Sequence, residues 1–208
     1  SSNGSGLPGR STSSEKPTIV IGVEEDRVAD DAITALTHDS AVFQRGGLLT
    51  RVVRDLADEL SEIHRPRGSP RLEPMPLPAV RERIAAAANW LRVKTIDGEE
   101  RLVPAHPPAW VVQAVASRGQ WSGIRPVEAI IETPTLRPNG TVLAQPGYDC
   151  ATGLLFEPGA TEFEIPSDSP NQDDAARAVQ VFIDLLSDFP FKSPSHRAAA
   201  VAAFVTPF

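Results

Sequence analysis

Residues 41–54 read AVFQRGGLLTRVVR. Two short runs rich in apolar and β-branched side chains flank Gly46-Gly47, and glycine takes the positive-φ conformations of a tight turn at no steric cost. The stretch therefore predicts a β-hairpin. Its basic residues Arg45, Arg51 and Arg54, with Phe43 beside them, are candidates to contact phosphates and stack a base. The alternative is a sheet edge kept soluble by charge.

Toward the N-terminus, Thr18–Val23 (TIVIGV) reads as a strand and Asp26 as the cap of a helix running to about His38. Val28, Ala32, Ile33 and Leu36 give that helix one apolar face. Residues 1–16, rich in Ser and Gly, read as a disordered leader or linker. Toward the C-terminus, residues 55–63 read as a helical turn or loop, and residues 64–71 (HRPRGSPR) as an exposed basic loop. Arg67 and Arg71 in that loop are candidates to enter a narrow minor groove, where arginine meets strong negative potential. The alternative is a solvated loop. Leu72–Leu77 predicts a strand, and Pro78 opens a predicted helix to about Val93 with Ala79, Ile84, Ala88 and Leu91 inward. Asp97-Gly98 marks a turn, and Pro107-Pro108 starts a helix over 108–118. Short strands follow at 128–131, 141–145 and 147–156, around the turn Arg137-Pro138-Asn139-Gly140. An acidic, Pro-rich loop and two helices, 171–188 and 194–205, close the chain. The fold class expected is α+β, short strands and hairpins packed with about five helices, divided near residue 100 into subdomains 17–100 and 101–208.

The 208 residues suffice for a buried core without disulfide or metal staples. A single cysteine, Cys150, excludes an internal disulfide framework and fits a reducing compartment. No apolar run approaches the roughly 20 residues of a membrane span, and no secretory signal opens the sequence, so the expected location is cytoplasmic. The net charge of −7 is uneven. Residues 1–39 carry −4, residues 40–137 carry +3 and residues 138–208 carry −6. The middle section can therefore present a basic face, although an acidic chain argues against strong autonomous binding of nucleic acid.

The common catalytic patterns are absent: no phosphate loop, no GxGxxG, no nucleophile elbow, no HExxH and no CxxC pair. His38, His64, His106 and His196 lie far apart with no ligand-spaced neighbours, so neither metal nor cofactor is expected. Asp30-Asp31 and Asp173-Asp174 read as acids in the first turn of a helix, favoured there by the dipole. Trp90 and Trp110 fall on predicted apolar helix faces. Trp121, between Gln120 and Ser122 in a loop, is the candidate for base stacking.

The hairpin string Val42–Val53 resembles the one found in large phage, plasmid and integrative-element primase/polymerase–helicases. The likeness continues in Pro107-Pro108-Ala109-Trp110, Trp121-Ser122-Gly123-Ile124-Arg125-Pro126 and Glu132-Thr133-Pro134-Thr135-Leu136-Arg137-Pro138-Asn139-Gly140. It runs on through Pro146-Gly147-Tyr148-Asp149, Thr152-Gly153-Leu154 and Asp188-Phe189-Pro190-Phe191. In such proteins this region looks like the one immediately before a helicase-type ATPase, with Thr206-Pro207 leading toward it. The resemblance implies a chain truncated before a further C-terminal domain, whose parent polypeptide is an ATP-dependent helicase or primase of DNA replication in a mobile element. It carries over no catalytic residue.

The expected role is non-catalytic: positioning DNA or the neighbouring primase and helicase domains for that ATPase. One rival is a protein interaction or homo-oligomerisation module without nucleic-acid contact, which the overall acidity favours. The other is an enzyme whose site assembles from distant residues such as His106, Glu132 and Asp149.

Overall fold

Regular structure begins with β1 (Thr18–Ile21) and helix α1 (Glu25–Leu36) in a computed structural model that describes residues 16–54, 68–159, 162–164, 167 and 169–205. The predicted leader apart from Lys16, the 55–63 segment, the part of the basic loop holding Arg67, and Thr206-Pro207 lie outside the described residues. Val28, Ala32, Ile33 and Leu36 of α1 are buried, as their spacing predicts. The helix starts ahead of Asp26. Glu24 holds the cap position without a side-chain cap bond, and Glu25 and Asp26 form an acidic first turn. Arg27 anchors this end, donating to Glu24 (2.8 Å), Asp31 (2.9 Å) and the Val20 carbonyl. The earlier start moves Asp30-Asp31 into the second turn, where Asp30 pairs with Arg118 at 2.6 Å.

The hairpin consists of β2 (Phe43–Arg45) and β3 (Leu48–Arg54), joined by Gly46 and Gly47 at φ 55° and 77°. These left-handed angles make the kind of turn that matches strand twist. β4 (Pro70–Pro74) pairs antiparallel with β3, so Pro70 and Arg71 belong to a strand and not to the predicted loop. Proline is tolerated there because it opens an edge strand. Helix α2 (Leu77–Ala87) carries proline in its first turn but stops well before Val93. From Asn89 the chain is β5 (Asn89–Ile96), which returns at Asp97-Gly98 as β6 (Glu99–Pro104). The alanine run favours helix, but the strand gains pairing to β1 on one side and β6 on the other. Trp90 ties the switch down: its indole N–H donates to the Ile84 carbonyl at 3.1 Å.

Helix α3 (Ala109–Ala116) follows. Then come six short strands: β7 (Arg125–Pro126), β8 (Ala129–Ile131), β9 (Thr135–Leu136), β10 (Val142–Leu143), β11 (Gly147–Asp149) and β12 (Leu154–Phe156). Helices α4 (Gln172–Leu185) and α5 (Pro194–Val205) close the described chain. The fold is α+β, with sheets in the orders β1-β5-β6, β4-β3-β2-β7, β11-β12-β8 and β10-β9.

Contacts divide the chain into two units, 1–161 and 162–208, and residue 100 falls inside the first. In the first unit the hairpin sheet is apolar on both faces. Leu49 joins a core built from β1, the three helices and β5, including Ile19, Val28, Ile84, Val111 and Trp121. Phe43, one residue out of phase across the hairpin, joins a smaller core with Val127 and Leu155, flanked by Val52, Leu72 and Tyr148. This is the period-2 alternation of a strand with both sides covered. The second unit is a helical pair. Asn171 and Asp174 form a reciprocal capping box on α4, and the Phe182 and Phe204 rings stack at 5.7 Å.

Candidate functional site

Three polar side chains join the strings of the first unit that lie far apart in sequence. The first is Gln44. Its cross-strand partner is Leu49, so it lies on the helix-facing side of the hairpin. Its Nε2 donates to the carbonyls of Trp121 (2.8 Å) and Ile124 (2.5 Å), and its Oε1 accepts from the Trp121 N–H (3.2 Å). One amide thus satisfies three backbone groups of a loop about 80 residues away. The Trp121 indole N–H donates inward to the Val115 carbonyl at 2.7 Å, which seats the ring against α3.

The second is Arg125, on the opposite face beside Phe43. Its guanidinium lies 4.7 Å from the Phe43 ring centroid and 4.9 Å from that of Tyr148. It also donates to the Ser40 carbonyl. A cation held between two rings is attracted by both faces. The Tyr148 hydroxyl donates to the Pro126 carbonyl at 2.6 Å. Burial first, then the Cys150 side chain, pushes the Tyr148 phenol above its ordinary pKa.

The third is Arg137. Its Nε and Nη2 both donate to Asp149 Oδ1, at 3.1 and 2.9 Å, and its Nη1 donates to the Val142 carbonyl at 3.0 Å. Asp149 Oδ2 accepts from the Thr152 N–H (3.1 Å) and hydroxyl (2.6 Å). The Arg137 hydrogen bonds, followed by those of Thr152, hold the Asp149 carboxyl below the usual range. Asn139 shapes the adjoining turn by accepting from the Thr141 N–H at 3.1 Å, the side-chain chemistry that favours asparagine there.

The predicted contact residues do not gather into one surface. Arg45 stands exposed at the hairpin tip and has no ion pair among the described residues. Arg51 faces Glu73 at 3.7 Å and Arg54 pairs with Glu157 at 2.7 Å. An odd spacing of three along β3 puts these two on opposite faces. Arg71 lies across from Val53, on the Arg51 face. Arg67 is outside the described residues. Phe43 is buried and cannot stack a base. Trp121 is only 1% exposed, so the stacking expectation is corrected: its ring completes the core and its N–H is already bound. The distant-residue site does not assemble among the described residues. His106 lines a cavity of about 360 Å³ with Trp90, Leu91 and Pro104, and no carboxylate shares that lining. No hydrogen bond or ion pair joins Asp149 to His106 or Glu132 among the described residues.

Gln44, Arg125 and Arg137 were within the quoted strings, but their partners lie up to 85 residues distant, and local spacing names no such partner. Chemically, the clamps hold loops and do not face a substrate: each donor set ends on backbone carbonyls, aromatic rings, a carboxylate or the Thr141 hydroxyl of the same unit. No family model matches the chain, and no curated protein and no solved structure matches it.

Proposed function

We propose that the chain is a non-catalytic accessory domain of a DNA-replication primase–helicase, positioning DNA or the adjacent domains for a downstream ATPase. One observation supports this reading above the others. The strings that resemble those proteins meet through Gln44, Arg125 and Arg137, whose polar groups are engaged within the fold and make a frame. A cytoplasmic location belongs to the same reading; among the described residues no helix is long and apolar enough to cross a membrane. Fluorescence anisotropy with labelled single- and double-stranded oligonucleotides, at about 50 mM salt where phosphate contacts are strongest, tests the DNA role. Measurable affinity that weakens with salt is expected. Absence of affinity for both forms removes DNA positioning and leaves positioning of protein domains.

The second reading, an interaction or homo-oligomerisation module, is favoured by the outer face of the β1-β5-β6 sheet. Val93 and Leu102 are cross-strand partners there, 50% and 54% exposed. Light scattering across a concentration series separates the two: a mass that grows with concentration supports self-association, and a constant monomer mass counts against it.

A further inference from the structure

The β5–β6 hairpin carries a basic face that local sequence pattern hides, because residues 89–93 read as helix. Directly paired residues project to the same side of a sheet. Arg92 pairs with Val103, Lys94 with Arg101, and Ile96 with Glu99. Arg92, Lys94 and Arg101 therefore share one face. All three are at least partly exposed, and the strand pairs from Val93–Leu102 outward extend past the core. Arg101 binds Glu99 at 2.9 Å, while Arg92 and Lys94 have no ion pair among the described residues. Lys94 directly opposite Arg101 is a like-charge cross-strand pair, which opposes folding. The remaining acids of the hairpin do not relieve it: Asp97 is in the turn and Glu100 pairs with Thr95 on the other face.

We infer that this hairpin is a phosphate-contacting arm, with Arg92 and Lys94 binding a nucleic-acid backbone and Arg101, held by Glu99, beside them. The inference rests on the DNA-positioning reading and gives it a location. A two-stranded ribbon is narrow enough to lie along the major groove of a duplex. Lys94 on the two-stranded part and Arg92 at its root, opposite Ile21 of β1, supply the sequence-independent part of binding, with counterion release as its driving force. Apolar Val93 and Leu102 lie on the opposite face, so the arm has one side for each kind of surface. An acidic protein partner is the competing occupant. The single face of guanidinium and ammonium groups on a projecting ribbon favours the phosphate backbone.

Anisotropy with a labelled duplex across a salt series, on the full 208-residue chain, tests this with R92A/K94A, K94E and R45A. The double variant is expected to weaken binding about tenfold or more at about 50 mM salt and to lower the salt slope by about two, one per lost phosphate contact. K94E is expected to bind more weakly and to melt at a higher temperature, since it replaces the Lys94–Arg101 repulsion with an opposite-charge pair. A purely structural lysine would move both readouts in the same direction. Unchanged affinity and slope in R92A/K94A, with loss in R45A, overturns the arm and keeps the DNA reading. A wild-type chain that binds no oligonucleotide overturns both. Polyglutamate binding as tight as that of the duplex assigns the face to acidic proteins and overturns the nucleic-acid assignment.

Discussion

Gln44→Glu is the most demanding test of the clamp between the hairpin and the Trp121–Ile124 loop. The substitution keeps side-chain length and volume and leaves the Trp121 N–H an acceptor. It removes the amide donor that serves two carbonyls at 2.8 and 2.5 Å. A net intramolecular hydrogen bond is worth about 1 kcal/mol, and a buried acceptor left without a partner costs about 1–3 kcal/mol more. Two lost donor bonds and a carboxylate held against two carbonyl dipoles amount to about 3–5 kcal/mol at neutral pH. Gln44→Ala loses all three bonds but introduces no charge, and about 3 kcal/mol is expected.

The two variants separate in their pH dependence. The carboxyl that Gln44→Glu introduces faces carbonyl oxygens, so its folded-state pKa is raised above the unfolded value. Its protonated form donates one bond, so the deficit is smallest below the unfolded pKa and grows as pH rises through the folded one. Gln44→Ala has no such slope. Urea unfolding followed by circular dichroism at about pH 3 and about pH 7, each against wild type at the same pH, measures this on either side of the carboxylate range. At about 2–4 °C per kcal/mol for a chain of this size, thermal melts show the same gap as roughly 10 °C. A Gln44→Glu protein as stable as wild type at neutral pH, or a deficit with no pH dependence, would refute the clamp as drawn.

Trp121→Phe is expected to cost about 1–2 kcal/mol through the lost bond to Val115 and the smaller ring, and Trp121→Ala about 3–5 kcal/mol; a folded Trp121→Leu chain is expected to keep wild-type oligonucleotide affinity in anisotropy, and a loss there counts against the core assignment. Gly123→Ala places a Cβ 2.8 Å from the Thr37 methyl at φ +83°, so it is expected to lose about 1–3 kcal/mol in urea melts, with part of that recovered on adding Thr37→Ser. Asp149→Asn is expected to flatten the acid limb of stability. The depressed Asp149 pKa contributes stability above the ordinary carboxylate range, about pH 4, and loses it as pH falls through the folded value. Wild type should therefore lose more than the variant between about pH 5 and about pH 2 by circular dichroism, and parallel acid curves count against the Arg137 pair.

The α+β class, the Gly46-Gly47 turn, the α1 face and the two C-terminal helices were legible because each is set by local pattern. Gly-Gly between β-branched runs can do little else, and Val28, Ala32, Ile33 and Leu36 read the same in any context. The errors lie where distant pairing overrides local preference. Ala85–Ala88 favours helix onward to Val93, but β1 offers a parallel partner at residues 89–92 that no local window contains. Pro70 and Arg71 read as loop until β3 supplies a strand beside them. Trp121 is flanked by polar residues, and the loop that carries it is fixed to Gln44, 77 positions away. The clamps share this property, and so the strings could be read as distinctive without their chemistry being visible.

Where any nucleic-acid contact sits follows from which cations the fold leaves unengaged. Residues 40–137 carry 14 basic side chains. Among the described ones, Arg51, Arg54, Arg83, Arg101 and Arg118 face carboxylates, Arg125 lies over two rings, and Arg137 holds Asp149. Such groups neutralise charge inside the domain and release few counterions on binding. Arg45, Arg81, Arg92 and Lys94 remain at least partly exposed and without ion pairs among the described residues. With a salt slope near 0.9 per phosphate contact, four such cations predict a slope of about −4 or shallower on a duplex. That is weak, salt-sensitive binding, which is what the proposed DNA-positioning role calls for. A slope much steeper than about −4 would require the engaged arginines to abandon their partners on binding, and then the frame described above would be a closed state of the domain.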